Sequence, residues 1–171
     1  MYLQIEKQFK DDQLGHLAKF KNAQVYYFSG EYDWCQSQLD VLKASTSKLI
    51  ANDALELSVL ISDNFNMDTS EIAMKLFSYA DMLSAQQQYS EAIILYDSVL
   101  NNFKNHSLND EILFRKAKIY LKQNNYSQAI NNLLEIEKKF PNSILLDNSL
   151  FLAGCIYQEN IKDLDSAKKY F

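Results

Sequence analysis

The chain has 171 residues and a net charge of −5, with 47% hydrophobic and 23% charged residues, a balance that suits a folded domain or short solenoid and excludes general disorder. Three glycines and one proline are too few for the many tight turns of an all-β fold or for a Gly-rich loop. The acidic balance argues against nucleic acid, whose phosphates need a basic surface.

Residues 1–7 lack the charged start and apolar stretch of a signal peptide and read as the inside of a helix. No apolar run approaches the roughly 18 residues needed to cross a bilayer. Residues 16–46 read as a first, weak helix pair, marked by Ala23, Tyr26, Gly30, Tyr32, Cys35 and Leu39. Residues 47–68 fit no complete pair, and the run 53–61 predicts one extra helix. A second pair spans 69–106, carried by Ala80, Leu83, Ala92, Tyr96 and Val99.

The pair at 107–143 is the clearest. Leu113, Ala117 and Tyr120 fall at i, i+4 and i+7, one face of a helix, and Ala129, Leu133 and Ile136 do the same in the next segment. Residues 122–125 form a polar break, and Asn124-Asn125 tolerates the left-handed conformation that ends a helix. Pro141 closes the second helix. A last pair, 144–171, has Gly154 and Tyr157 but one extra residue before Ala167.

A constant step of 37 residues links these pairs: Phe77, Phe114 and Phe151; Ala80, Ala117 and Gly154; Tyr89 and Tyr126; Ala92 and Ala129; Phe103 and Phe140. A fixed period in this range marks a repeat architecture. The small residues sit where paired helices approach most closely, and a larger side chain there would overpack by about 1–3 kcal/mol.

The pattern Ala117, Tyr120, Ala129, Leu133 and Pro141 resembles the tetratricopeptide repeat. The resemblance implies an all-α, right-handed superhelical solenoid of antiparallel helix pairs over residues 1–171, with nine or ten helices. Two departures stand out. The step exceeds the family's 34 residues, implying a longer turn between units, and Lys104 replaces the proline in the second pair. Cys35 takes an alanine slot, which implies a small buried residue. The stretch from Phe140-Pro141-Asn142-Ser143 to Leu150-Phe151 is similar to repeats of bacterial envelope assembly proteins. That implies a bacterial parent and a periplasmic or envelope setting, with the cytoplasm still open. The amphipathic ends read as those of a fragment of a longer chain.

In the family the first helix of each pair lines a concave groove that takes an extended peptide or a partner's helix. The matching face here holds Phe20, Gln24 and Tyr27, then Phe77, Asp81 and Ser84, then Phe114, Lys118 and Leu121, then Phe151, Cys155 and Gln158. Two readings compete for the phenylalanines. They are core packed on neighbouring helices, or an apolar groove for a partner's side chains. Some family members grip a C-terminal carboxylate with Lys, Asn and Arg. Phe and Asp occupy those positions here, and Lys118 and Arg115 alone do not make the clamp, so no tight carboxylate-dependent binding is expected.

Chemistry-bearing constellations are missing from the sequence. His16 and His106 have no second ligand at i+3 or i+4, and no Cys pair has metal-site spacing. No Ser or Cys is paired with His, and the glycines are isolated. Cys35 and Cys155 lie in different pairs, so no disulfide is expected. Asp63, Asp68 and Glu71 cluster, but 68–71 reads as a helix cap. The expectation is a non-enzymatic interaction scaffold with no cofactor or metal, whose partner is a protein or peptide. A structural spacer, or self-association through the chain ends, is the alternative.

Overall fold

A computed structural model describes residues 2–9, 12–44, 48–65 and 71–171. Among the described residues the structure is all-α: α1 (Tyr2–Gln8), α2 (Gln13–Ser29), α3 (Tyr32–Lys43), α4 (Lys48–Phe65), α5 (Ile72–Ala85), α6 (Tyr89–Asn102), α7 (Leu108–Lys122), α8 (Tyr126–Lys139), α9 (Leu146–Cys155), a π-helical segment (Ile156–Ile161) and α10 (Leu164–Ala167). The chain forms two compact units, residues 1–82 and 83–171, with the division inside α5.

In the first unit α1 packs on α2, α2 on α3, and α4 on both α3 and α2. Lys19 on α2 reaches Glu6 on α1 at 3.1 Å. The extra helix expected at 53–61 is α4, and it buries Ile50, Ala54, Ser58 and Ile61, one face at helical spacing. A two-way link pins it to α3: Ser58 Oγ donates to Gln36 Oε1 (2.6 Å), and Gln36 Nε2 donates to Ser58 O (2.9 Å). Cys35 is fully buried in its alanine slot on α3. Of the expected cap at 68–71, Asp68, Thr69 and Ser70 lie outside the described residues.

In the second unit α6 packs on α7, α7 on α8, and α8 on α9. Leu113, Phe114 and Ala117 of α7 join Ala129, Ile130, Leu133 and Ile136 of α8 in one core cluster, which Ala153 and Ile156 complete. Lys116 on α7 bonds Asp97 on α6 at 2.6 Å. Five residues, 103–107, join α6 to α7, and six, 140–145, join α8 to α9.

These two connections take the same path although only one contains proline. Phe103 (φ −126°, ψ 58°) and Phe140 (φ −129°, ψ 59°) have the same backbone, and each N–H reaches the carbonyl four residues back at 2.8 Å. Where Lys104 replaces proline, buried Asn109 donates from Nδ2 to Phe103 O (3.2 Å) and Lys104 O (2.7 Å). That amide ties α7 to the two carbonyls that follow α6, and Phe103 O also accepts the His106 N–H at 3.1 Å.

The turn inside each pair is built one way four times. Gly30, Gln87, Asn124 and Lys162 all have positive φ, between 58° and 79°. The following N–H closes each turn: Glu31 to Tyr26 O (2.9 Å), Gln88 to Leu83 O (2.9 Å), Asn125 to Tyr120 O (2.8 Å) and Asp163 to Tyr157 O (3.0 Å). This is the bonding that ends a helix on a left-handed residue. The last bond spans one residue more than the others. The extra residue that the sequence carries before Ala167 is absorbed there as the π-helix, so Ala167 recovers its slot, 3% exposed.

Candidate partner-binding surface

The expected groove residues do not share one environment. In residues 1–82, Phe20 and Tyr27 are buried, and Phe77 is 0% exposed. The Tyr27 hydroxyl donates to Asp81 Oδ2 at 2.8 Å, so these two residues meet each other. Gln24 is half-buried and accepts from Lys21 Nζ at 3.0 Å. For Phe20 and Phe77 the core reading describes the ring, because burial leaves them little surface to offer.

In residues 83–171, Phe114 is also buried, with Lys118 Nζ lying 4.4 Å from its ring centre as a cation–π pair. Ser84, Leu121 and Cys155 are half-buried, and Leu121 packs on the core cluster. Gln158 is exposed within the π-helix. Phe151 differs from its two equivalents, with 62% of its surface in solvent. Its neighbour is Phe171, equally exposed at 63%, with ring centres 5.7 Å apart in an edge contact. Beside them Tyr157 and Tyr170 stack with planes only 3° apart.

Gly154 shows why a glycine stands where Ala80 and Ala117 stand in the other pairs. A Cβ there would come within 2.9 Å of the Phe171 ring. The missing methyl leaves room for the Phe171 ring against α9, where it meets Phe151. The sequence marked the Gly154 slot but not its occupant, since nothing local connects positions 154 and 171.

Exposed apolar side chains outside the expected set include the chain's one tryptophan. Trp34 and Val41, on α3, are 62% and 60% exposed. They are seven residues apart on one stripe of α3, each directly preceding a buried residue, Cys35 and Leu42. A lone tryptophan on the polar face of a helix was the available signal.

Both cysteines are free, and burial pushes the Cys35 thiol up to about 12, where it stays protonated. His106 Nδ1 accepts the Leu108 N–H at 3.1 Å, which makes it part of the turn into α7. Among the described residues no group of three His, Cys, Asp or Glu is placed to hold a metal, and no helix is long and apolar enough to cross a membrane.

Consecutive helix packing, the recurrent left-handed turn and the alanine slots define a helical-repeat protein of tetratricopeptide type. Residues 19–164 match the family described as the tetratricopeptide repeat protein 21 ARM repeat, and the chain belongs to that family. No curated protein matches the chain. Helical-repeat families of this kind mediate protein–protein interaction and are generally non-catalytic scaffolds.

Proposed function

We propose that the chain is a non-enzymatic scaffold, organised as the units 16–46, 47–68, 69–106, 107–143 and 144–171, that holds a partner peptide or helix against the first-helix face of its repeats. The observation that carries this reading is Phe151, open to solvent at a position whose equivalents Phe77 and Phe114 are buried. With Phe171 it forms an exposed aromatic pair, the kind of surface that anchors protein contacts. A bacterial parent remains part of the proposal, by resemblance of the repeats.

The burial of Phe77 and Phe114 favours a second reading, in which this stretch is a spacer or self-association segment. One substitution separates the two. Phe151→Ala removes an exposed ring and leaves the core intact. Affinity capture with the parent chain and this variant, followed by mass spectrometry, is the test. A specific protein lost with Phe151→Ala supports the scaffold. Equal recovery from both chains sinks the Phe151 site, and a parent chain that captures only itself supports self-association.

A further inference from the structure

The net charge of −5 is confined to one half of the chain. Residues 1–82 hold twelve carboxylates against seven lysines, whereas residues 83–171 hold ten acidic and ten basic side chains. The excess concentrates at residues 31–63, where Glu31, Asp33, Asp40, Asp53, Glu56 and Asp63 are all exposed. Among the described side chains of this stretch the one cation is Lys43, already bonded to Asp40 at 2.8 Å.

The chain's single tryptophan lies in this acidic surface. Trp34 and Val41 form an apolar stripe two turns long on the outer face of α3, and Asp33 and Asp40 each directly precede one of them. Exposed tryptophan is costly in water and is enriched where partners bind. An apolar stripe bordered by carboxylates is complementary to a segment with an apolar face and flanking cations.

We propose that the outer face of α3, centred on Trp34 and Val41, binds a basic amphipathic segment, with Lys or Arg beside a helical apolar face. This goes beyond the first-helix reading, because it uses second-helix residues that contain none of the groove positions. The partner's apolar side chains cover Trp34 and Val41, and its cations meet Asp33 and Asp40.

Trp34 is its own reporter, being the only indole in the chain. The probe is a synthetic Leu/Lys peptide with leucines at helical spacing. The controls are a Leu/Glu peptide and a Ser/Lys peptide of equal charge but no apolar face. Titration of the parent chain with the Leu/Lys peptide should shift Trp34 emission to the blue and saturate, and neither control should do so. With the peptide labelled, anisotropy should show affinity at least about tenfold weaker for the Trp34→Ala, Val41→Ala double variant. The exposed Ile94→Ala variant on α6 should bind as the parent does. The Asp33→Asn, Asp40→Asn variant should bind more weakly, with a shallower salt dependence. No emission shift, or a double variant that binds as tightly as the parent, overturns the proposal. An equal response to the Ser/Lys peptide also overturns it, by reducing the contact to charge alone.

Discussion

Tyr32 Oη and Ser78 Oγ lie 3.0 Å apart in a buried site, although 46 positions separate them in sequence. Together with Tyr27 and Asp81 they attach α5 to the α2–α3 turn through hydroxyl groups rather than apolar contact alone. Burial pushes the Tyr32 hydroxyl up to about 12. A buried phenol that must stay neutral makes the fold sensitive to alkali.

Stability should therefore fall as pH rises from about 10 to 12. Below pH 10 both states keep the Tyr32 proton and its contribution is complete. Above it the unfolded chain ionises near 10 while the folded chain resists to about 12, so the unfolded state binds fewer protons and gains. Buried Cys35 acts in the same direction, from its lower unfolded value. Urea midpoints of the parent and Tyr32→Phe between pH 8 and pH 12 isolate the tyrosine. Parallel curves for the two chains would show that Tyr32 is not the alkaline-sensitive group.

The two cysteines should differ in reactivity. Cys35 is 0% exposed with a raised pKa, whereas Cys155 is half-buried. In native buffer a disulfide reagent should titrate one thiol per chain, and in denaturant two. Native modification of Cys35, mapped by mass spectrometry, would contradict the burial described here.

The three periodic phenylalanines should separate by stability. Phe77→Ala and Phe114→Ala each empty a core site and should cost about 3–5 kcal/mol. Phe151→Ala, at an exposed position, should stay within about 0.5 kcal/mol of the parent. Chemical denaturation followed by circular dichroism measures all three. Equal losses would place Phe151 in the core.

Left-handed turns offer a gain. Gln87 and Lys162 hold a conformation that costs a side-chain-bearing residue about 1 kcal/mol or more, and Gly30 avoids this cost in the first pair. Gln87→Gly and Lys162→Gly should each stabilise the chain by about 1 kcal/mol, and Gly30→Ala should destabilise it by a similar amount. At Gly30 the φ of 79° is the cause, because a Cβ would meet only Lys75 carbons at 3.5 and 3.6 Å. Unchanged midpoints in all three variants would refute the argument.

The π-helix should be removable. Residues 158–160 are exposed, and one residue fewer returns this turn to the spacing of the other three pairs. Deleting Glu159 should leave thermal stability equal or higher. A matching deletion of Leu121, in α7, should lower it, because that turn has no residue to spare. A drop for the Glu159 deletion as large as for Leu121 would mean that the π turn is needed.

Much of the architecture was legible in the chain because its signals are local. Helical spacing in α7 and α8, the small residues at Ala117 and Ala129, and the polar break ahead of Tyr126 each describe a few neighbouring residues. Phe151 was placed with Phe77 and Phe114 by period, yet its exposure differs, because exposure depends on what packs against a helix from elsewhere. The same holds for Gly154, whose missing methyl makes room for Phe171, and for Asn109, whose amide holds the Phe103 and Lys104 carbonyls. Sequence by itself determined the class: a repeat of helix pairs, with its turns and its alanine slots, since these follow from backbone geometry over one or two turns. Tertiary structure alone decided which aromatic rings meet solvent, that Tyr27 and Tyr32 find their partners on α5, and that the extra residue becomes a π turn. Those outcomes depend on which distant side chains fill the same space, and no local pattern encodes that.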